Sequence, residues 1–391
     1  MEYNPKRVHQ QIRNFERCLE DYRFHEPFAR FLTQFYKNNK QMGSSDRRMN
    51  SRYCYHVFRL GRAFQDLPLQ ERLVIAEFLC ETESAVVHEL RPEWVEQQKP
   101  ALSQRIAFIE SLYPGFLNQV FPWHAHLSDA IDKEAFIQSH FVQPHLFIRI
   151  QAGKEEQVKK ELSKQDISFE ALSPQTLVLA NGVNLQALKK IQGLYEVQDW
   201  ASQQSLQAVE AKPNETWWDC CAASGGKTLM LLDRFPTINV LVSDIRLSIL
   251  RNLEERFEMA GIKRPFRKKV LDLSQPVAHI MQNERFDGLI IDAPCSGSGT
   301  WGRTPEMLSK FQETEIQKYT QLQKQIVKNA VPYLKPGKEL IYITCSVFQE
   351  ENEEVVAYIS NELNLQLESM TPILGYHHQA DSMFTAKFIK I

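Results

Sequence analysis

The chain has no apolar run of membrane-spanning length, no CxxC pair, no low-complexity tract, no internal repeat and almost no net charge. Each absence removes a class of function. The longest hydrophobic stretches are only strand-length, far short of the ~20 residues that a spanning helix needs. The first ten residues, MEYNPKRVHQ, are polar and lack the apolar core of a secretory signal, so a cytoplasmic protein is expected. The seven cysteines (Cys18, Cys54, Cys80, Cys220, Cys221, Cys295 and Cys345) are odd in number and scattered, with no nearby histidine at metal-ligand spacing. Reduced thiols are expected, with no disulfide framework and no metal. A formal charge of -2 gives no global attraction to nucleic acid, so any RNA affinity must come from local basic patches. What remains is ordinary globular composition, 43% hydrophobic and 24% charged over 391 residues. That length accommodates two or three units, each with a sizeable core. A monomer is expected.

Three segments differ in pattern. Residues 1–138 carry helix-spaced apolar positions and few strand signals; after Gly43-Ser44-Ser45-Asp46, Met49, Tyr53, Val57 and Leu60 recur at helical spacing. Arg47, Arg48, Arg52, Arg59 and Arg62 fall on about four turns of the same segment. Such a stripe either contacts phosphates or forms a solvated face with salt bridges. Residues 139–204 read as a small α/β unit: a strand-like LFIRI (146–150), a charged helical stretch from Lys154, a strand-like TLVLA (176–180) and a helix around Leu185 to Ile191. In residues 205–391 the runs WWDCCA, NVLVSD, FDGLIID, ELIYITC and FTAKFIKI alternate with helical segments, which predicts a parallel sheet covered by helices.

Chemistry-bearing residues collect at the ends of these strands. Asp219-Cys220-Cys221-Ala222-Ala223-Ser224-Gly225-Gly226-Lys227-Thr228 runs from an apolar strand through a glycine turn into a helix beginning near Thr228. That arrangement lets a nucleotide-like ligand approach the backbone. A phosphate-binding P-loop is the competing reading of Gly226-Lys227-Thr228, but its first glycine would fall at Cys221. The next strand ends in Asp244, placed to hydrogen-bond ribose hydroxyls, and Asp272 follows the third strand within reach of an adenine amino group. Read singly, either aspartate is equally a helix cap. The fourth strand ends in Asp292-Ala293-Pro294-Cys295-Ser296-Gly297-Ser298-Gly299-Thr300, and the next ends in Thr344-Cys345-Ser346. A free cysteine is ordinarily buried and inert. Two at the ligand-binding edge of one sheet are candidates for nucleophilic chemistry, with Lys227 or a helix N-terminus to favour the thiolate.

These residues resemble the Sun family of RNA cytosine-5 methyltransferases, to which bacterial RsmB belongs. The glycine turn is similar to that family's CAAPGGKT motif, with Ser224 in place of the proline. Asp292 to Gly297 matches its DAPCSG motif, and Thr344-Cys345-Ser346 with Glu351-Asn352-Glu353 matches TCS…ENE. The likeness extends to Val197-Gln198-Asp199, Phe147-Ile148-Arg149 and Phe384-Thr385-Ala386, covering roughly residues 140–391. More loosely, the segment around Ser45-Asp46-Arg47-Arg48 resembles a NusB-type helical domain.

The resemblance implies a Rossmann-like class I methyltransferase domain over 205–391, an RRM-like α/β subdomain over 139–204 and a NusB-like helical RNA-binding domain over 1–138. It implies S-adenosylmethionine bound by Cys221, Ala222, Ala223, Ser224, Gly225, Gly226, Lys227, Asp244, Arg251, Asp272 and Asp292. Cys345 is implied as the nucleophile that adds to carbon 6 of cytosine, Asp292 as the group at ring nitrogen 3, and Cys295 as the thiol that assists release. RNA is the implied partner, ribosomal RNA first and transfer RNA second. Phosphate contacts are open to Lys263, Arg264, Arg267, Lys268, Lys269 and Arg303, and Trp301 either stacks on a base or packs within its loop. The competing functions are a P-loop NTPase, a DNA cytosine methyltransferase and a catalytically silent RNA-binding or assembly factor.

Overall fold

The helix-spaced apolar positions near the N-terminus form helices over Pro5–Asp21, Phe28–Asn38, Ser44–Arg59 and Leu69–Cys80 in the computed structural model, which describes residues 3–391. Asn4 starts the first by accepting from the Lys6 and Arg7 amides, and Pro5 supplies a helical φ at no cost in hydrogen bonds. The helices join through aromatic edges, among them Phe15 on Tyr53 and Phe28 on Phe58, with ring centroids 6.3 and 4.9 Å apart. This helical unit runs up to Ala125, adds Asp132–Gln143, and takes in Trp301–Gln312 from far along the chain. It extends past the expected boundary at 138 because buried Arg59 donates to the His140 carbonyl at 2.7 Å and the Gln143 side chain at 2.5 Å. In the borrowed segment, Trp301 packs on Phe121, Trp123 and Phe311, and Glu306 accepts from the Phe28 amide at 3.2 Å.

The second unit comprises His126–Ile131, Pro144–Thr300 and Glu313–Ile391. It begins with a four-stranded antiparallel sheet of β1 (Leu146–Ile150), β2 (Phe169–Ala171), β3 (Thr176–Leu179) and β4 (Tyr195–Val197), in the order β2-β3-β1-β4, backed by a helix over Glu155–Lys164. The helix expected around Leu185 to Ile191 is instead two short 3₁₀ turns. Leu185, Leu188 and Ile191, all buried in this small core, repeat every three residues, the 3₁₀ period.

The larger sheet contains β5 (Thr216–Asp219), β6 (Asn239–Asp244), β7 (Arg267–Val270), β8 (Phe286–Asp292), β9 (Leu334–Thr344), β10 (Leu365–Ile373) and β11 (Met383–Lys390), in the order β10-β11-β9-β8-β5-β6-β7. Trp217 and Trp218 are neighbours in β5, and the pleat sends them into the separate cores on the two faces. β7, β6, β5, β8 and β9 are mutually parallel, as expected. The final strand corrects the sequence reading: β11 runs antiparallel to both β9 and β10. An apolar run buried inside a sheet looks the same in either direction, so its polarity was hidden. β10 gives no strand signal in the sequence, because it is a largely exposed edge carrying Gln366, Glu368, Ser369 and Pro372. This strand order, with one antiparallel strand near its end, is the one that the resemblance implies for a class I methyltransferase. Consecutive strands diverge from β5, with β6 on one side and β8 on the other, and ligands of open α/β sheets bind beyond the strand ends at such a switch point.

Candidate functional site

The turn after β5 is built from two left-handed residues, Ala223 at φ +45° and Gly225 at φ +84°, and the helix over Gly226–Arg234 starts two residues before the expected Thr228. Gly225 is required on two counts. Its φ lies where only glycine is unstrained, and a Cβ there would meet Leu253 and Phe257 at 2.8 and 2.7 Å. The glycine thus seats the turn on the helix over Leu247–Met259. Ser224, standing where the resembled motif has proline, accepts from Arg256 at 3.0 Å, and Arg256 also pairs with Glu196 of β4 at 2.6 Å. A hydrogen bond takes over the restraint of the ring.

Beyond the strand ends lies a cavity of about 490 Å³. Of the residues expected at the cofactor, Cys221, Ala223, Asp244, Asp272 and Asp292 line it, together with Cys295 and Cys345. Ala222, Ser224, Gly225, Gly226 and Lys227 shape the turn behind it. Asp244 is nearly buried and accepts from the Ala223 amide at 3.2 Å and the Arg246 amide at 2.9 Å. Asp272 sits two residues past β7 and accepts from the Ser274 amide at 2.9 Å. Arg251 does not line the cavity: it is exposed on the helix over Leu247–Met259, and the arginine at the cavity is Arg246, two residues past Asp244, whose guanidinium lies 3.1 Å from that carboxylate.

Cys295 and Cys345 come together with their sulfurs 3.3 Å apart. The hydrogen bond to Cys345, reinforced by burial, pushes the Cys295 thiol well above the ordinary range, so Cys295 keeps its proton. Lys227 lies 2.8 Å from Asp292; burial opposes its charge, but Asp292 outweighs burial and holds the ammonium above its usual pKa. Asp219, not among the residues expected at the site, is buried behind the turn. Desolvation pushes its carboxyl up to about 7, Thr228 pulls it down through a 2.6 Å hydrogen bond, and Asp292 pushes it up again. Its position as the last residue of β5 was the available signal.

The proposed phosphate contacts mostly dissolve into internal ties. Arg264 bonds the Pro236 carbonyl and Asn239, Arg267 and Lys269 pair with Glu284, and Lys268 pairs with Glu254. In the helical unit, Arg47 bonds the Met42 carbonyl, Arg52 pairs with buried Glu77, Arg59 is buried, and Arg62 bonds the Phe311 carbonyl over the Trp123 ring. Of that stripe Arg48 stays exposed. Trp301 is 1% exposed and packed among aromatics, which excludes base stacking. Arg303 is half-buried and has a partner in the fold. No cluster of three metal-ligating side chains occurs among the described residues, and none of their helices is long and apolar enough to cross a membrane.

Residues 206–389 match the family described as 16S rRNA methyltransferase RsmB/F. The domain belongs to the RsmB/F methyltransferase family. Curated relatives named ribosomal RNA small subunit methyltransferase B are 30% identical over 259 residues in Proteus mirabilis (65% of this chain, 61% of the relative) and 26% identical over 273 residues in Shewanella oneidensis (66% and 63%). The chain therefore spans about three fifths of the length of these relatives. The crystal structure of PH0851 aligns over 100% of both chains with a TM-score of 0.74 and 20% identity, a likeness of fold. Within the RsmB/F domain, the glycine turn, the three aspartates that line the cavity and the cysteine pair all stand on the edge where the parallel strands end.

Proposed function

We propose that this chain is a cytoplasmic enzyme that methylates carbon 5 of a cytosine in ribosomal RNA, using S-adenosylmethionine and a covalent link between Cys345 and carbon 6. One observation carries the reading: two thiols 3.3 Å apart at the ends of adjacent strands, with Asp292 in the same cavity. The cavity suits the cofactor. Asp244 and Asp272 offer carboxylates to hydroxyl and amino groups, while Ile245, Leu271 and Ala293 offer an aliphatic surface to a purine. When bound, S-adenosylmethionine supplies an electrophilic methyl group.

Carbon 5 of cytosine is a poor nucleophile, so the chain must first activate it. Cys345 Sγ bonds to carbon 6, and the electron pair of the 5,6 double bond moves to carbon 5 and is delocalised through carbon 4 onto nitrogen 3, which Asp292 holds. Lys227 fixes Asp292 from the far side at 2.8 Å. Carbon 5 then takes the methyl group, loses its proton to a base, and the carbon 6–sulfur bond breaks to restore the double bond. Cys295, protonated beside Cys345, stabilises the departing sulfur. The small β2-β3-β1-β4 sheet and the helical unit are assigned to RNA handling, because the target base must leave its stack to reach the cavity. Bisulfite sequencing of small-subunit ribosomal RNA from cells with and without the gene tests the reading. One cytosine should lose its protection in the deletion strain, and purified protein with S-adenosylmethionine should restore it. Protection that appears only in transfer RNA would move the substrate, and protection in no RNA would end the proposal.

A further inference from the structure

We propose that Glu351 is a positioning residue for the two-cysteine reaction: a single buried carboxylate that ties the loop of Cys295 to the loop of Cys345 and sets the distance between the sulfurs. The inference rests on the reading of these cysteines as the reacting pair. Glu351 is 0% exposed. Its Oε2 accepts from the Ser296 amide at 2.9 Å, and its Oε1 accepts from the Ser346 hydroxyl at 2.8 Å. Ser296 directly follows Cys295, and Ser346 directly follows Cys345. A third donor, the side-chain amide of Gln323, reaches Oε2 at 2.9 Å and the Pro294 carbonyl at 3.1 Å, so the residue before Cys295 is held as well. All three donors point at the carboxylate, and both of its oxygens are used.

The surrounding polar groups extend this tie. Ser298 meets Ser346 at 3.2 Å and accepts from the Val347 amide at 2.9 Å, and the Gly299 amide donates to the Cys345 carbonyl at 2.9 Å. Thr344 donates to Asn352 at 2.6 Å, and Asn352 returns a bond to the Ser346 carbonyl at 3.0 Å. Gly299 has no room for a side chain, since a Cβ would run into the Ser382 carbonyl. Stiffness here has a chemical use. Cys345 must reach carbon 6 while Cys295 stays close enough to serve its departure, and misplacing a reacting group by about 1 Å costs on the order of 10²-fold in rate.

Glu351→Ala removes both anchors and leaves two buried donors without an acceptor, whereas Glu351→Gln keeps the link. Its oxygen can accept from Ser296 and Gln323, and its nitrogen can donate to a rotated Ser346 hydroxyl. The first test needs no RNA. Diamide oxidises two adjacent thiols to a disulfide and is itself reduced to the hydrazine, so the rate at which peptide mapping finds a Cys295–Cys345 crosslink reports how the sulfurs are held. The parent and Glu351→Gln should crosslink at similar rates and Glu351→Ala about tenfold or more slowly, with the affinity for S-adenosylhomocysteine unchanged as the control for folding. In methylation assays, kcat of Glu351→Ala should fall by roughly 10²-fold at constant KM for RNA, and Glu351→Gln should recover most of it. Parent-like crosslinking in Glu351→Ala overturns the proposal. Should that variant not fold, Ser346→Ala, which cuts one anchor, must show the slowed crosslink or the proposal fails. If the crosslinking contrast holds while no protein methylates RNA, the positioning stands and the functional reading falls.

Discussion

Cys295 and Cys345 carry the same side chain at almost the same place, and their surroundings distinguish them. The hydrogen bond to Cys345 and burial push the Cys295 thiol upward, which suits Cys295 to stay a thiol while Cys345 is proposed to attack. Cys345→Ala should therefore abolish methylation and any covalent complex, while Cys295→Ala should permit attack and methyl transfer but stall release. Denaturing electrophoresis of protein incubated with RNA and S-adenosylmethionine should show a persistent adduct only for Cys295→Ala. An adduct with Cys345→Ala instead would exchange the roles. Asp219 offers a second test at this scale. Its folded pKa of about 7 exceeds the ordinary 3.8, so the native state holds a proton that the unfolded chain has already released. Stability is therefore lost as pH rises from about 4 to about 7. Asp219→Asn abolishes that titration and keeps an acceptor for Thr228, so its stability relative to the parent should rise over this window by on the order of a few kcal/mol. Urea midpoints that differ by a constant amount at pH 5 and pH 8 would refute the assignment. Both cysteines were legible in the sequence as strand-end residues; Asp219 shares that position, but its role was hidden, because a carboxylate ending a strand looks alike whether it faces ligand or core.

Among the elements, the helix over Ser44–Arg59 shows why composition misleads. Five arginines on its length and just beyond look like a nucleic-acid stripe, yet most of them are used to hold the helical unit together. Glu77, fully buried on the helix over Leu69–Cys80, receives Arg52, the Ser84 hydroxyl at 2.6 Å and His56 at 2.7 Å. Burial alone would raise its pKa, but His56 and then Arg52 outweigh it and pull the carboxyl down to about 2. A depressed carboxylate contributes stability that is present above its unfolded pKa and disappears as pH falls from about 4.5 toward 2. Glu77→Gln should cost roughly 3–5 kcal/mol at pH 7, as when one partner of a buried pair is removed. Amide exchange in the helices over Ser44–Arg59 and Leu69–Cys80 should speed up accordingly, and the difference from the parent should shrink at pH 3. Unchanged exchange at pH 7 would mean that the pair contributes nothing. Sequence patterning located the helices and the parallel strands through their periods. It missed the direction of β11 and the existence of β10, because a buried strand hides its polarity and an exposed edge strand has no apolar alternation.

For the whole molecule, continuity along the chain is a poor guide to what folds as a unit. The segment Trp301–Gln312 follows the cysteine-bearing loop of β8 in sequence but belongs to the helical unit, where Trp301 and Phe311 complete an aromatic group with Phe121 and Trp123. Conversely, His126–Ile131 lies between two stretches of that helical unit but belongs with the sheets. Leu127 bridges to Phe348, Ser128 donates to Glu353 at 2.9 Å, and His126 bonds Glu313 at 3.0 Å. A boundary at 138/139 drawn from the change of pattern cannot represent either exchange. Residues 1–143 expressed alone would lose the Trp301 and Phe311 side of the aromatic group, the Glu306 acceptor of the Phe28 amide and the Phe311 carbonyl that receives Arg62 at 2.5 Å. Burying a large aromatic is worth roughly 3–5 kcal/mol by truncation, a large share of a domain's total of about 5–15 kcal/mol. The fragment should therefore give weak near-ultraviolet circular dichroism and fast amide exchange around Phe121 and Trp123. Adding a peptide of residues 300–313 should restore part of both signals, and Trp301→Ala in the full chain should loosen the same helices while leaving cofactor affinity within about twofold. A fragment 1–143 that unfolds cooperatively with full-chain protection at Phe121 would show that the later segment is only resting on a unit already complete.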